Sequence, residues 1–317
     1  MTSSSAQTEV PASTATPRGR LVAAAMANDH RRQVAGIPTA LLLAGEGPPI
    51  EGPPIVFVQG EFGSVWWRVI PDLLATHRVI APDLPGLGAS ELPAGRFDRD
   101  TVLGWLEDLV EQTCTQPPVL VGKGPGGAIA ARFAARHSDH LAGLVLVDSL
   151  GLAPFRPPPE LALTFLRVLL RPSEQNLERG FRNYCFVDLD GGRRDMGETY
   201  QAMVDYAVDC FRTPRVRTAT RRLARAFGSP IPPAELERIS IPASLIWGRH
   251  DVGVPVAVAQ AASNRYGWPL HVIEDARDDP ALEQPAAFLD ALRTALTGSR
   301  PGRPAAPDEP DGAEARR

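Results

Sequence analysis

The stretch Val119-Leu-Val-Gly122-Lys-Gly124-Pro-Gly126-Gly127-Ala-Ile-Ala-Ala-Arg-Phe133 constrains this chain more than any other. An apolar run, a cluster of glycines and an alanine-rich segment with helical spacing predict a buried strand that turns at once into a helix. Such a corner belongs to a largely parallel sheet covered on both faces by helices. Read as Gly-x-Gly-x-x-Gly (Gly122, Gly124, Gly127), with Asp148 closing the next strand, it fits a dinucleotide cradle at a helix N-terminus. Read as Gly-x-X-x-Gly-Gly, it fits a sharp turn that displays a catalytic nucleophile, and Gly124 then holds the nucleophile position.

The rest of the chain decides between these readings by its order. Arg32 to Ala44 predicts two strands around a Gly-Ile-Pro turn, Ile55 to Val58 a buried strand, Ser64 to Ala75 a helix and Val79 to Ala81 another strand. Asp98 to Thr113 carries Val102, Trp105, Leu106, Leu109 and Val110 at helical spacing, and Leu144 to Val147 follows the corner as a strand. After Leu150 the rhythm changes to amphipathic helices opened by Pro154, Pro157, Pro158 and Pro159, and strand-helix alternation resumes at Pro242. The expected organisation is an α/β core over residues 29–149 and 234–297, a helical cap at 150–233, and disordered tails at 1–28 and 298–317. A dinucleotide cradle is expected at the first strand of its domain, whereas at least three strands precede this one, so that reading is the weaker.

Composition removes several function classes. A formal charge of −4 and a pI near 5.9 leave no electrostatic footprint for nucleic acid. Cys114, Cys185 and Cys210 lack the spacing of a zinc site or a disulfide framework, which fits a reducing cytoplasm. No apolar run reaches the length of a membrane span. The expected partner is a small molecule or modified peptide under the cap, with no nucleic acid, membrane, cofactor or metal; the oligomeric state is open.

Four segments in order resemble the α/β-hydrolase superfamily over about Gln33 to Leu296. Val58-Gln59-Gly60 resembles the strand end that helps form the oxyanion hole, and Asp83-Leu-Pro-Gly86-Leu-Gly88-Ala-Ser90 resembles the family's Asp-x-x-Gly-x-Gly-x-Ser turn. Leu245-Ile-Trp-Gly248-Arg-His-Asp251 resembles the segment bearing the triad acid, and Ile273 to Pro285 the segment bearing the triad histidine. The resemblance implies an α/β-hydrolase fold with a mostly parallel sheet and an inserted cap, and carries the triad onto Gly124, Asp251 and Asp278. Glycine offers no nucleophile, and aspartate at the histidine position offers no imidazole. Pro125, following the nucleophile position, lacks the N–H that usually stabilises an oxyanion.

Asp251 and Asp278 are therefore the candidate catalytic residues, and Gln59, Gly60, Glu61, Phe62, Gly124, Pro125 and Phe155 the candidate substrate-binding residues. Asp278 and Asp279 read equally well as an acid/base pair with Asp251 or as a solvated acidic turn. Lys123, the single lysine, reads as a surface or loop residue ahead of a Schiff-base or phosphate role. The chain resembles atypical, non-hydrolytic superfamily members such as the bottromycin-pathway peptide epimerase. The expectation is an isomerase or epimerase acting on a peptide or polyketide intermediate; a pseudoenzyme that binds a ligand or partner, and a hydrolase with a non-standard mechanism, remain as alternatives.

Overall fold

The computed structural model describes residues 8–10, 14–45, 52–60 and 66–298. Its centre is a nine-stranded sheet in the order β1-β2-β3-β5-β4-β6-β7-β8-β9. The strands are β1 (Thr8–Val10), β2 (Asn28–Val34), β3 (Ile37–Ala44), β4 (Ile55–Gln59), β5 (Val79–Pro82), β6 (Val119–Lys123), β7 (Gly143–Val147), β8 (Ala243–Gly248) and β9 (Leu270–Ile273). The first three pair antiparallel and β3 meets β5 antiparallel; every pairing from β5 onward is parallel. β2 and β3 close a hairpin through Ala35 and Gly36, both at positive φ, as a two-residue turn that follows sheet twist requires.

The parallel strands β4, β6, β7 and β8 are buried at every residue, which is why they read as unbroken apolar runs. Helices α2 (Arg99–Thr113) and α3 (Pro125–Ala134), and α10 (Val256–Tyr266), α11 (Pro280–Glu283) and α12 (Pro285–Gly298), follow individual strands of the core. Between β7 and β8 the chain is helical: α4 (Pro159–Leu170), α5 (Glu174–Gly180), α6 (Leu189–Met196), α7 (Glu198–Arg212), α8 (Pro214–Phe227) and the short α9 (Pro233–Leu236), with a π-turn at Phe181–Cys185. No described helix is long and apolar enough to cross a membrane.

Two expectations change. In place of a helix over Ser64 to Ala75, the described part holds two 3-10 turns, Trp66–Arg68 and Pro71–Leu73; Pro71 supplies no N–H to continue a helix begun before it. The segment expected to be a disordered tail contains β1 and helix α1 (Pro17–Ala24), which buries Leu21 and Val22. Thr16 caps α1 and Pro17 opens it, a start signal that the Ser/Thr/Pro-rich composition masks. Arg18 then ties α1 to the rest of the molecule: its guanidinium binds both oxygens of Asp29 (2.8 and 3.0 Å), Asp83 Oδ2 (2.7 Å) and the hydroxyl of Tyr206 on α7 (2.9 Å). Tertiary contacts therefore order a segment whose local composition favours disorder. Residues 299–317 lie outside the described residues.

Candidate functional site

The corner after β6 has the geometry that its glycines predict. Gly124 sits at φ 51°, ψ −123°, a conformation that strains any residue with a side chain, and Pro125 opens α3 directly after it. The helix lies against the sheet so closely that a Cβ on Gly122 would stand 2.7 Å from Gly127 Cα, and one on Gly126 would stand 2.2 Å from the Val58 carbonyl oxygen. A Cβ on Gly60 would meet the Pro125 ring at 2.3 Å, so Gly60 and Pro125 form one packed wall. Gln59, buried at the end of β4, is in register with Lys123 on β6. Glu61 and Phe62 lie outside the described residues.

Lys123 is the largest departure from the sequence reading. It is not a surface residue: its side chain is 1 % exposed, with Nζ 3.0 Å from Asp279 Oδ1 and 3.5 Å from Asp278 Oδ2. The reason is the strand itself. Lys123 ends a central strand that is buried throughout, and the loop after β9 brings Asp278 and Asp279 up to it. Asp279 is buried, so the picture of a solvated acidic turn fails for it; Asp278 keeps 31 % of its side chain exposed. An isolated buried ammonium is very costly, and the pair is what makes this one tolerable.

The acidic residue after β8 completes the cluster. Asp251 is buried; its Oδ1 accepts from the backbone N–H groups of Gly253 (2.7 Å) and Val254 (3.0 Å), while its Oδ2 has no hydrogen-bond partner among the described residues. Burial, and then the charge of Asp278, raise its pKa from an ordinary 3.8 to about 7. Burial likewise lifts Asp279 to about 6 against the opposing pull of Lys123, and Glu283 to about 7. Asp148, fully buried just after β7, has its pKa pushed well above the ordinary carboxylate value by burial and then by the charges of Asp251 and Asp278. Its Oδ1 accepts from Gly248 N–H (2.9 Å). Asp148 is buried and holds the β8 end by this internal bond, which counts against the exposed ribose-binding acid that the dinucleotide reading needs.

A cavity of about 410 Å³ opens beside this cluster, lined by Val187 from the cap and by His250, Asp251, Val252 and Arg277, a size ordinary for small-molecule sites. Phe155 belongs to the same neighbourhood: a Cβ on Gly253 would lie 3.3 Å from Asp251 Oδ1 and 4.0 Å from the Phe155 ring. The structure thus groups Asp251 with Phe155, and Asp278 with Lys123 at the foot of the Gly124 corner. Trp66, Trp67 and Phe186 are buried in the core. Arg277 and Glu283 are missed in the sequence, and Lys123 and Asp148 are named there in other roles. For Lys123 alone a signal existed, a lone lysine at the end of a fully buried strand.

The family model described as the alpha/beta hydrolase fold matches residues 53–196. An uncharacterised protein of Mycobacterium tuberculosis is 27 % identical over 289 residues, covering 85 % of this chain and 81 % of that protein. A 2-hydroxymuconate semialdehyde hydrolase of a Pseudomonas species is 36 % identical over 123 residues, 38 % of this chain and 42 % of the enzyme. Among solved structures, a 2-hydroxy-6-oxo-6-phenylhexa-2,4-dienoate hydrolase from a Rhodococcus species superposes with a TM-score of 0.73 at 22 % identity, over 86 % of this chain and 99 % of its own. The antiparallel edge, the parallel core, the glycine corner after β6 and the helical insertion between β7 and β8 agree with these matches: the chain is a protein of the α/β-hydrolase fold.

Proposed function

We propose that the site moves a proton at an activated carbon of a small natural-product intermediate, making this a non-hydrolytic isomerase or epimerase on a hydrolase scaffold. The observation that carries the reading is Asp251: a buried carboxyl on the wall of the cavity, one oxygen without a hydrogen-bond partner among the described residues, poised near neutrality beside the second carboxyl of Asp278. A buried carboxyl whose proton affinity is raised, set beside a second carboxyl that is part-exposed, can serve in an acid/base set. In the forward step the Asp278 carboxylate takes the proton from carbon, and the electron pair of the broken C–H bond moves into an adjacent carbonyl as an enolate. Protonated Asp251 then returns a proton to that enolate, at oxygen for an isomerisation or at carbon for an inversion. Gly124 supplies no nucleophile and Pro125 no N–H donor, so nothing at the corner favours an acyl-enzyme.

The names of the relatives favour a second reading, hydrolysis in which a carboxylate activates water directly. Two assays separate them. Release of p-nitrophenol from short-chain esters is expected to stay at the buffer rate for the parent protein and for Gly124→Ser, since the hydroxyl returns without a base or the donor at 125. Incubating enolisable carbonyl compounds, including peptidyl and polyketide thioesters, in deuterium oxide is expected to give one-carbon exchange that Asp251→Asn and Asp278→Asn abolish. Ester turnover by the parent protein that these substitutions abolish, without exchange, would establish the hydrolytic reading instead.

A further inference from the structure

Among the described residues seven large apolar side chains are exposed, and six of them, Phe155, Leu163, Phe165, Leu166, Leu170 and Val187, belong to the segment that caps the core. Three of these form a stripe: Leu163, Leu166 and Leu170 follow each other at helical spacing along α4 and are 45 %, 49 % and 70 % exposed. The opposite face of α4 buries Leu161, Thr164 and Val168. The helix is thus apolar on the side that packs and on the side that faces water. A soluble surface has no use for the second, and such patches mark contact with something else.

Charge indicates what that is. Exposed Arg156, Arg167 and Arg171 stand against the single acid Glu160 over residues 155–171 (three positive less one negative, +2), while the whole chain carries −4. None of these three arginines makes an ion pair among the described residues. An apolar helix face edged by unpaired arginines matches the boundary between headgroups and acyl chains of an anionic bilayer. A second copy is a poorer match, because the same segment of a partner offers one acid, Glu160, to three arginines. The helix also sits over the site, since Leu161 Cδ2 lies 3.7 Å from where a Cβ on Gly253 would stand, and Val187 joins exposed apolar surface to the cavity wall.

We infer that the outer face of α4, Leu163, Leu166 and Leu170 with Arg167 and Arg171, is a peripheral docking surface for anionic lipid bilayers. Composition predicts no membrane partner, but composition averages over a surface that the fold sorts. The whole chain is mixed with vesicles of phosphatidylcholine alone and of phosphatidylcholine with phosphatidylglycerol, then sedimented at low and high salt. The protein is expected to partition onto the anionic vesicles, more weakly at high salt. Leu166→Glu with Leu170→Glu, and separately Arg167→Glu with Arg171→Glu, are expected to lower that partition about tenfold or more with the melting temperature unchanged, because all four side chains are exposed. Absence from anionic vesicles, partition indifferent to both pairs of substitutions, or equal partition onto neutral vesicles overturns the proposal. A dimer in light scattering that the leucine substitutions dissolve, with vesicles left bare, assigns the face to self-association instead.

Discussion

Asp251→Asn is expected to stabilise the protein above neutrality while abolishing proton transfer. The folded pKa of Asp251 is raised from 3.8 to about 7 by burial and by Asp278, so between those values the native state binds a proton that the unfolded chain does not. Its favourable contribution is therefore complete below about pH 4 and is lost as pH rises toward 7. At about 1.4 kcal/mol per pH unit over that interval, the cost of ionising Asp251 in place reaches a ceiling of roughly 4 kcal/mol. Asparagine resembles the protonated carboxyl at every pH and keeps an oxygen for the N–H groups of Gly253 and Val254. Relaxation of the cavity wall takes part of the ceiling, leaving an expected gain of about 2 kcal/mol at pH 8 and none near pH 4. Urea unfolding of parent and variant across that range measures the difference. A variant destabilised equally at both ends, or a difference that does not change with pH, would refute the claim that Asp251 carries a proton near neutrality, and with it the proposed chemistry.

Two further substitutions test the supports of the site. Lys123→Met leaves Asp279 buried without its cation and is expected to cost about 3 to 5 kcal/mol, most of it recovered by adding Asp279→Leu; a single-variant cost under about 1 kcal/mol in urea unfolding would show that the pair is not structural. Arg18→Ala removes the tie between α1, the sheet and α7 and strands Asp29 and Asp83, with an expected loss of about 3 kcal/mol. Arg18→Lys should restore only part, because one ammonium cannot reproduce a fork that serves three partners. Hydrogen exchange in α7 that stays at the parent rate in Arg18→Ala would count against the tie.

What could be read from the sequence was what local pattern encodes. Ile55–Val58, Val119–Val121 and Leu144–Val147 are strands because unbroken apolar runs suit a sheet covered on both faces, and the glycines from 122 to 127 are where strand and helix backbones touch. What escaped was decided by partners far along the chain. Lys123 is matched by acids 155 and 156 positions later, and α1 is held by Asp83 and Tyr206. Asp251 and Asp278 were found through family position alone; that burial moves the first toward neutrality while the second stays part-exposed is a property of the folded site. Of the acids that share this field, Asp148 was visible only as the acid of the weaker dinucleotide pattern, and Glu283 stands in no motif that chemistry requires.

The buried Lys123–Asp279 contact also sets which evolutionary routes stay open. To acquire hydroxyl-imidazole catalysis the chain would need serine at 124, a residue other than proline at 125 and histidine at 278. An imidazole at 278 replaces one of the two carboxylates that face Lys123 among the described residues with a group that gains positive charge beside the buried ammonium. Removing Lys123 first would instead strand Asp279. Serine at 124 would take a strained positive φ and histidine at 278 would cost Lys123 a carboxylate, so each taken singly is expected to lower stability, and the ion pair acts as a latch that holds the corner to its present residues.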